Sequence, residues 1–156
     1  MTDDFARRAA ESVEIVRRSL RPTPRPVTIS DVDILRFAEA IGARPRTGGD
    51  GRLQAPPLFL PPFPPGDQIG HDGRRRPAGA GSAADALAFR VMGGCSVAFS
   101  APIRSGDQIT ATSTLETVVE KMGSRGPMLL VTTATAYRDQ HGNPKRIERW
   151  TIVHRD

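Results

Sequence analysis

Val91-Met-Gly-Gly-Cys-Ser-Val-Ala-Phe-Ser-Ala-Pro-Ile-Arg-Ser-Gly-Asp107 opens a stretch that runs to Asp139 through two long patterned segments hinged at Gly123–Pro127. After Gly106-Asp107, Ile109, Ala111, Leu115 and Val119 fall at odd positions, with Thr110, Thr112, Thr114 and Glu116 between them. A period of two with many β-branched residues predicts a half-buried antiparallel strand. Met128 to Tyr137 repeats the signal, and its Leu129-Leu130-Val131 centre is apolar on both faces. Met122-Gly-Ser-Arg-Gly-Pro127 supplies hairpin turn chemistry. Arg146 to His154, after Gln140-His-Gly-Asn-Pro144, predicts a third strand. Three long strands in series make an antiparallel meander, whose apolar face the preceding residues must cover.

At 156 residues the chain is read as one domain with room for a core. Charged residues make up 25% and mean hydropathy is −0.35, which describes a soluble globular chain. No apolar run approaches the roughly 18 residues of a membrane span. Met-Thr-Asp-Asp-Phe-Ala-Arg-Arg at the start lacks an apolar signal-peptide core. A single cysteine cannot form an internal disulfide and fits a reducing, cytoplasmic setting.

The net charge of +5 and pI near 10.6 come almost wholly from arginine, since Lys121 and Lys145 are the only lysines. Apart from Arg74-Arg75-Arg76 they are scattered, and one Tyr and one Trp offer little stacking surface, so nucleic acid is not the expected partner. An anionic ligand such as a phosphorylated cofactor would benefit from the excess.

Thr2 can cap a helix over roughly 3–19, with Phe5, Ala9, Val13, Val16 and Leu20 near one stripe. Three prolines between 22 and 26 end it. These first 25 residues are read as a helix and linker ahead of a domain over 26–156. Ser30-Asp-Val-Asp33 is a capping-box variant before a helix expected to bury Ile34, Leu35, Phe37, Ala38 and Ile41 and to stop at Gly42. Residues 43–53 read as a mobile polar loop. Pro56 to Gly66, with six prolines around Leu58, Phe59, Leu60 and Phe63, reads as an extended segment packed on an apolar surface. Residues 66–82 read as a second flexible loop, after which Ser82 caps a short helical turn through Phe89.

The residues alone point to little chemistry. His71, His141 and His154 show no metal spacing, and one cysteine does not complete a zinc set. His141 and His154 are read as surface residues. His71-Asp72 is the only His–carboxylate neighbour pair, but it lies in a flexible loop where a preorganised base is hard to maintain. Cys95 is read as a buried structural thiol, because no activating partner can be named. Nucleophile-elbow, Walker and dinucleotide-binding patterns are absent.

Met92-Gly-Gly-Cys-Ser-Val-Ala-Phe-Ser-Ala-Pro-Ile-Arg-Ser-Gly-Asp107 resembles the MaoC-like dehydratases, in which Gly-Gly and an aromatic precede Pro-x-x-x-Gly-Asp. Val118–Gly126, the late Asp-Gln-His-Gly-Asn, Val27-x-Ile-x-x-x-Asp-Ile-x-x-Phe-Ala-x-Ala-Ile-Gly42 and Ala55-Pro-Pro-Leu-Phe59 are similar to the same family. Each motif is weak alone, but five in the right order are fairly specific, and they cover roughly 26–156. The chain most resembles the N-terminal half of two-repeat members of the itaconyl- or mesaconyl-CoA hydratase type and the FAS1-like dehydratase domains.

The resemblance implies an α+β hot-dog fold, a curled antiparallel sheet wrapped around a helix and paired with a second such unit. It also implies a tunnel for an acyl thioester of coenzyme A or acyl carrier protein, (R)-specific enoyl-thioester hydration or the reverse dehydration, and no other cofactor. Catalytic members follow the first helix with Gly-Asp-x-Asn-Pro-x-His-x-Asp. Here Ala43 stands at the Asp and Thr47 at or near the His. Neither titrates as a base near neutrality. The resemblance therefore implies a non-catalytic subunit that completes the tunnel of a catalytic MaoC-like partner. Pro57, Leu58 and Phe59 would line that tunnel, Gly93 and Gly94 would allow close backbone approach, and Arg74, Arg75 and Arg76 would meet cofactor phosphates. Two alternatives stand beside it: a homodimeric dehydratase, isomerase or cyclase working from His71 and Asp72, and a module that binds acyl-CoA or a polyketide without turnover.

Overall fold

The computed structural model describes residues 3–20, 25–62 and 89–155. In chain order these form helix α1 (Asp3–Ser19), strand β1 (Val27–Thr28), helix α2 (Asp31–Ala40), the short strands β2 (Arg46–Thr47) and β3 (Leu53–Gln54), and four long strands: β4 (Phe89–Phe99), β5 (Gln108–Gly123), β6 (Gly126–Arg138) and β7 (Pro144–Arg155).

The expected meander is present as β5, β6 and β7, with Ser124 and Arg125 closing the first hairpin between the paired Gly123 and Gly126. A fourth long strand, β4, returns antiparallel to β7, and β1 adds a short antiparallel pairing to β5. The resulting antiparallel sheet has the order β1-β5-β6-β7-β4. It is curled, as strands interrupted by bulges are. The register shifts between Met92 and Gly94 in β4 and between Leu115 and Thr117 in β5. Together with the two helices the sheet makes a single hot-dog fold.

The bulge in β5 corrects one expectation. Ile109, Ala111 and Leu115 do face the covered side, with Ser113 buried among them. Beyond Leu115 the alternation flips, so Val118 rather than Val119 pairs with the buried Val131, and Val119 pairs with Leu130 on the opposite face. One inserted residue moves every later side chain to the other side of the sheet.

Each helix covers one end of the sheet. From α1, Phe5, Ala9, Val16 and Leu20 pack on Leu129 and Val131, with Val13 and Leu115 at the margin. Burying the Phe, Val and Leu side chains contributes about 2 kcal/mol each. Ser12 is also buried on this face. At the other end Ile29, Ile34, Phe59, Ile103, Ile109 and Tyr137 form a second cluster.

The capping box of α2 is formed: Ser30 Oγ accepts from the Asp33 N–H (3.2 Å), and the Asp33 carboxylate accepts from the Ser30 N–H (3.0 Å). Gly42 (φ 65°) takes the left-handed conformation just after the helix, where glycine is least strained. Ile34 and Ala38 are buried, but Leu35 and Ile41 are exposed, contrary to expectation. Leu35 sits about 100° round the helix from Ile34. Ile41 is the C-cap, with non-helical backbone that swings its side chain off the stripe.

Further corrections come from the loops and strand ends. Residues 43–53 are not a free loop: β2 and β3 pair as a small hairpin, Arg46 opposite Gln54 and Thr47 opposite Leu53. Cys95 is exposed because β4 is an edge strand among the described residues. His154 is buried, because β7 lies between β6 and β4 and His154 shares the covered face with its register partner Leu129. His141 is exposed in its turn. Phe89 belongs to β4, while the helical turn from Ser82 lies outside the described residues.

Candidate ligand-binding site

A cavity of about 710 Å³ opens where four segments meet: 43–46 after α2, 54–59, 99–103 and 145–146. Each wall is held by backbone hydrogen bonds between segments distant in sequence. The Ala55 N–H donates to the Ile103 carbonyl (2.8 Å), the Ser105 N–H to Leu53 (2.9 Å) and the Ser100 N–H to Lys145 (2.9 Å).

The wall over 55–59 contains the sequence-predicted Pro57, Leu58 and Phe59, and all three line the cavity. Pro56 and Pro57 forbid helix continuation, and the Phe59 N–H closes a turn on the Pro56 carbonyl (3.1 Å). Leu58 is the one non-glycine described residue at positive φ (66°). That conformation is sterically costly for a residue with a Cβ and persists only where surroundings hold it. Here two contacts hold its neighbour: Phe59 is 2% exposed, packs edge-on against Phe37 at 5.5 Å, and its carbonyl accepts from Arg146 Nη1 at 2.6 Å. The turn thus buries Phe59 and leaves Leu58 exposed at the cavity wall.

Lys145, in the lining, belongs to a buried ion network that sequence reading missed. Asp107 accepts from Arg52 Nη2 (2.5 Å) and the Arg104 N–H (2.9 Å), and Lys145 Nζ lies 3.2 Å away. Burial pushes its carboxyl up, but these three donors outweigh burial and hold it below the usual carboxylate range. Asp139 accepts from the N–H groups of Asn143 and His141 (2.9 Å each), and Lys145 bridges to it at 3.3 Å. Against the upward push of burial, the Asn143 and His141 donors and Lys145 bring its carboxyl down to about 2. The Gly-Asp motif and the Asp-Gln-His-Gly-Asn turn are thereby tied together through Lys145.

Arg146 forms a second buried group. Its Nη2 lies 2.8 Å from Glu148, its guanidinium carbon sits 4.2 Å over the Tyr137 ring, and the Tyr137 hydroxyl donates to Glu148 (3.3 Å). Burial, reinforced by the Glu148 charge, raises the Tyr137 hydroxyl to about 12 despite the opposing Arg146. Among the described residues the buried Arg146 Nε has no acceptor. The only sequence signal for this floor was two adjacent cations opening a strand, Lys145-Arg146.

Among the described residues, the cavity lining contains no Asp, Glu, His or Cys. Ala43 lines it, while Thr47 sits exposed on β2 and does not. Gly93 and Gly94 lie at the β4 bulge and are not lining residues. A Cβ at Gly93 would meet Val153 Cγ2 at 2.8 Å, so this glycine serves contact within the sheet. His71, Asp72 and Arg74–Arg76 lie outside the described residues.

The sequence profile of the FAS1-like dehydratase domain region matches residues 18–146. The chain belongs to that family. No curated protein sequence matches this FAS1-like dehydratase domain. Solved structures do match it. A chain of the ChsH1–ChsH2 complex from Mycobacterium tuberculosis is 18% identical, with TM-score 0.63 over 96% of this chain and 92% of that one. A chain of the HadBC (3R-hydroxyacyl-ACP dehydratase) complex from the same organism is 15% identical, with TM-score 0.55 over 88% and 98%. A MaoC-like dehydratase from Rhodospirillum rubrum is 16% identical, with TM-score 0.53 over 85% and 89%. These likenesses support the MaoC-like hot-dog fold of the FAS1-like dehydratase domain. Two of the three come from complexes of differently named subunits. No helix of the described residues is long and apolar enough to cross a membrane.

Proposed function

We propose that this FAS1-like dehydratase domain is the non-catalytic subunit of an (R)-specific enoyl-thioester hydratase or 3-hydroxyacyl-thioester dehydratase, completing the acyl tunnel of a catalytic hot-dog partner. The observation that carries this reading is the cavity lining. It is shaped and largely apolar, as a site for an acyl chain should be, yet its described residues offer no carboxylate or imidazole to move a proton. Lys145 and Arg146, the buried cations in that lining, are engaged by carboxylates and are not free bases. The two heteromeric complexes among the structural neighbours agree with a partnered role.

In this mechanism the partner supplies the acid and base that act on water and the substrate α-proton. This chain supplies the wall that positions the acyl thioester and excludes bulk water, so its contribution to rate is orientation. Leu58 and Phe59 form the apolar surface along which the acyl chain would lie.

The test is native mass and crotonyl-CoA hydration for the chain alone and co-expressed with MaoC-like proteins that carry the Asp/His pair. Activity confined to a heteromer is the expected result. A homo-oligomer with robust activity of its own overturns the reading and directs attention to His71 and Asp72. The same lining also suits a module that binds without turnover, which would show tight acyl-CoA binding and no product in any pairing.

A further inference from the structure

We infer that the mouth of this cavity is an anion-binding site, formed by Arg44 and Arg46, that takes the carboxylate or phosphate of an amphipathic ligand whose apolar part enters the cavity. The inference rests on the same cavity as the thioester reading and deepens it by naming the charge the ligand must carry.

Among the described residues the lining holds the cations Arg44, Arg46, Lys145 and Arg146. No acidic residue stands among the described lining residues. Two of these cations are already neutralised, Lys145 by Asp107 and Asp139 and Arg146 by Glu148. Arg44 and Arg46 make no ion pair among the described residues and remain exposed at the rim.

Their spacing suits a shared anion. Pro45 disfavours helical backbone at Arg44, and Arg46 begins β2, so the segment is extended. Residues two apart in extended chain project to the same side. Two guanidinium forks on one side can hold one carboxylate or phosphate in charge-assisted hydrogen bonds. Behind them, Leu58, Phe59, Phe99, Pro102 and Ile103 give an apolar wall that displaces water and strengthens that attraction. An arginine pair without this wall would be an ordinary solvated surface; the wall selects a ligand that is anionic at one end and apolar at the other.

The experiment measures binding to the full chain of octanoyl-CoA, octanoate and the uncharged octanoyl-N-acetylcysteamine by calorimetry, for the parent and for Arg44→Gln/Arg46→Gln. The parent should bind an anionic probe, weakening as salt rises, and the double variant should bind it about ten-fold or more weakly, the loss expected for a charge-assisted hydrogen bond. The neutral thioester should bind more weakly and equally to both proteins. Binding of octanoyl-CoA but not octanoate assigns the anion as phosphate; comparable binding of both assigns it as carboxylate. Both results support the site. Indifference of anionic binding to the double substitution, equal affinity for the neutral probe, or no binding of any probe overturns it. An unchanged melting temperature confirms that the variant is folded. Arginine-dependent binding with no activity in any pairing removes the dehydratase reading and leaves this site standing; an active pair indifferent to Arg44 and Arg46 does the reverse.

Discussion

Asp107 and Asp139 share Lys145, so two carboxylates and one ammonium are fixed together near the cavity floor. Removing one partner of a buried pair leaves uncompensated charge. Asp107→Asn should therefore cost about 3 kcal/mol in urea unfolding. Titration of Asp139 has a definite sign. Its folded pKa, about 2, lies below its ordinary value of 3.8. Its contribution is thus fully present above pH 4 and is lost as pH falls through the folded value. Thermal melts of the parent should drop between about pH 4 and 2, and Asp139→Asn should flatten that slope while lowering stability at neutral pH. Tyr137 acts at the other extreme. With its hydroxyl raised from 10.0 to about 12, folding keeps it neutral where the unfolded chain ionises, so stability falls as pH rises through that interval. Tyr137→Phe should remove this alkaline loss. The Gly-Asp pair stands out in the sequence as a family-like motif, but its partners do not. Arg52 is 55 residues from Asp107, and nothing in local pattern announces such a pairing. Cys95 and His154 were misjudged for a related reason, since depth depends on which strand is an edge and which is flanked.

At the scale of elements, local chemistry was informative wherever it acts locally. The helix over 3–19, the capping box at Ser30 and Asp33, the stop at Gly42 and the Gly123–Gly126 hairpin all depend on residues within a few positions of one another. Ser30→Ala should destabilise the protein by about 1 kcal/mol, read from the urea midpoint at constant slope. The β5 bulge was not legible. Gln-Ile-Thr-Ala-Thr-Ser-Thr-Leu-Glu-Thr-Val-Val keeps an apparent alternation through Val119, and only the pairing with β6 reveals the extra residue. The flip assembles a transverse row on the outer face, Val119–Leu130–Val153–Val91, one residue from each long strand. The β2–β3 hairpin was hidden because two-residue strands in Gly-rich sequence carry no period.

For the whole molecule, the meander, its apolar cover and the family motifs indicate the hot-dog fold from sequence. The cavity drew on both sources: Pro57, Leu58 and Phe59 were named from resemblance, while Arg44, Arg46, Lys145 and Arg146 emerged only when four separated segments met. The sheet ends in two incompletely paired strands. Among the described residues β4 pairs only with β7, and the outer side of β5 meets β1 only at Gln108 and Ile109. A hot-dog partner adding to β4 would cover Cys95. Its thiol should react quickly with a maleimide in the isolated chain and at least several-fold more slowly in the complex. Equal rates would place the partner elsewhere.

The edge of β4, open among the described residues, also bears on how the protein must be produced. A long strand with one edge unpaired among the described residues, and with Val91, Met92 and Phe99 exposed, is a template for indiscriminate pairing. If the proposed hot-dog partner occupies that edge, synthesis in excess of it should send surplus chain into aggregates or to proteases, so the steady-state amount should follow the supply of that partner rather than the chain's own rate of translation.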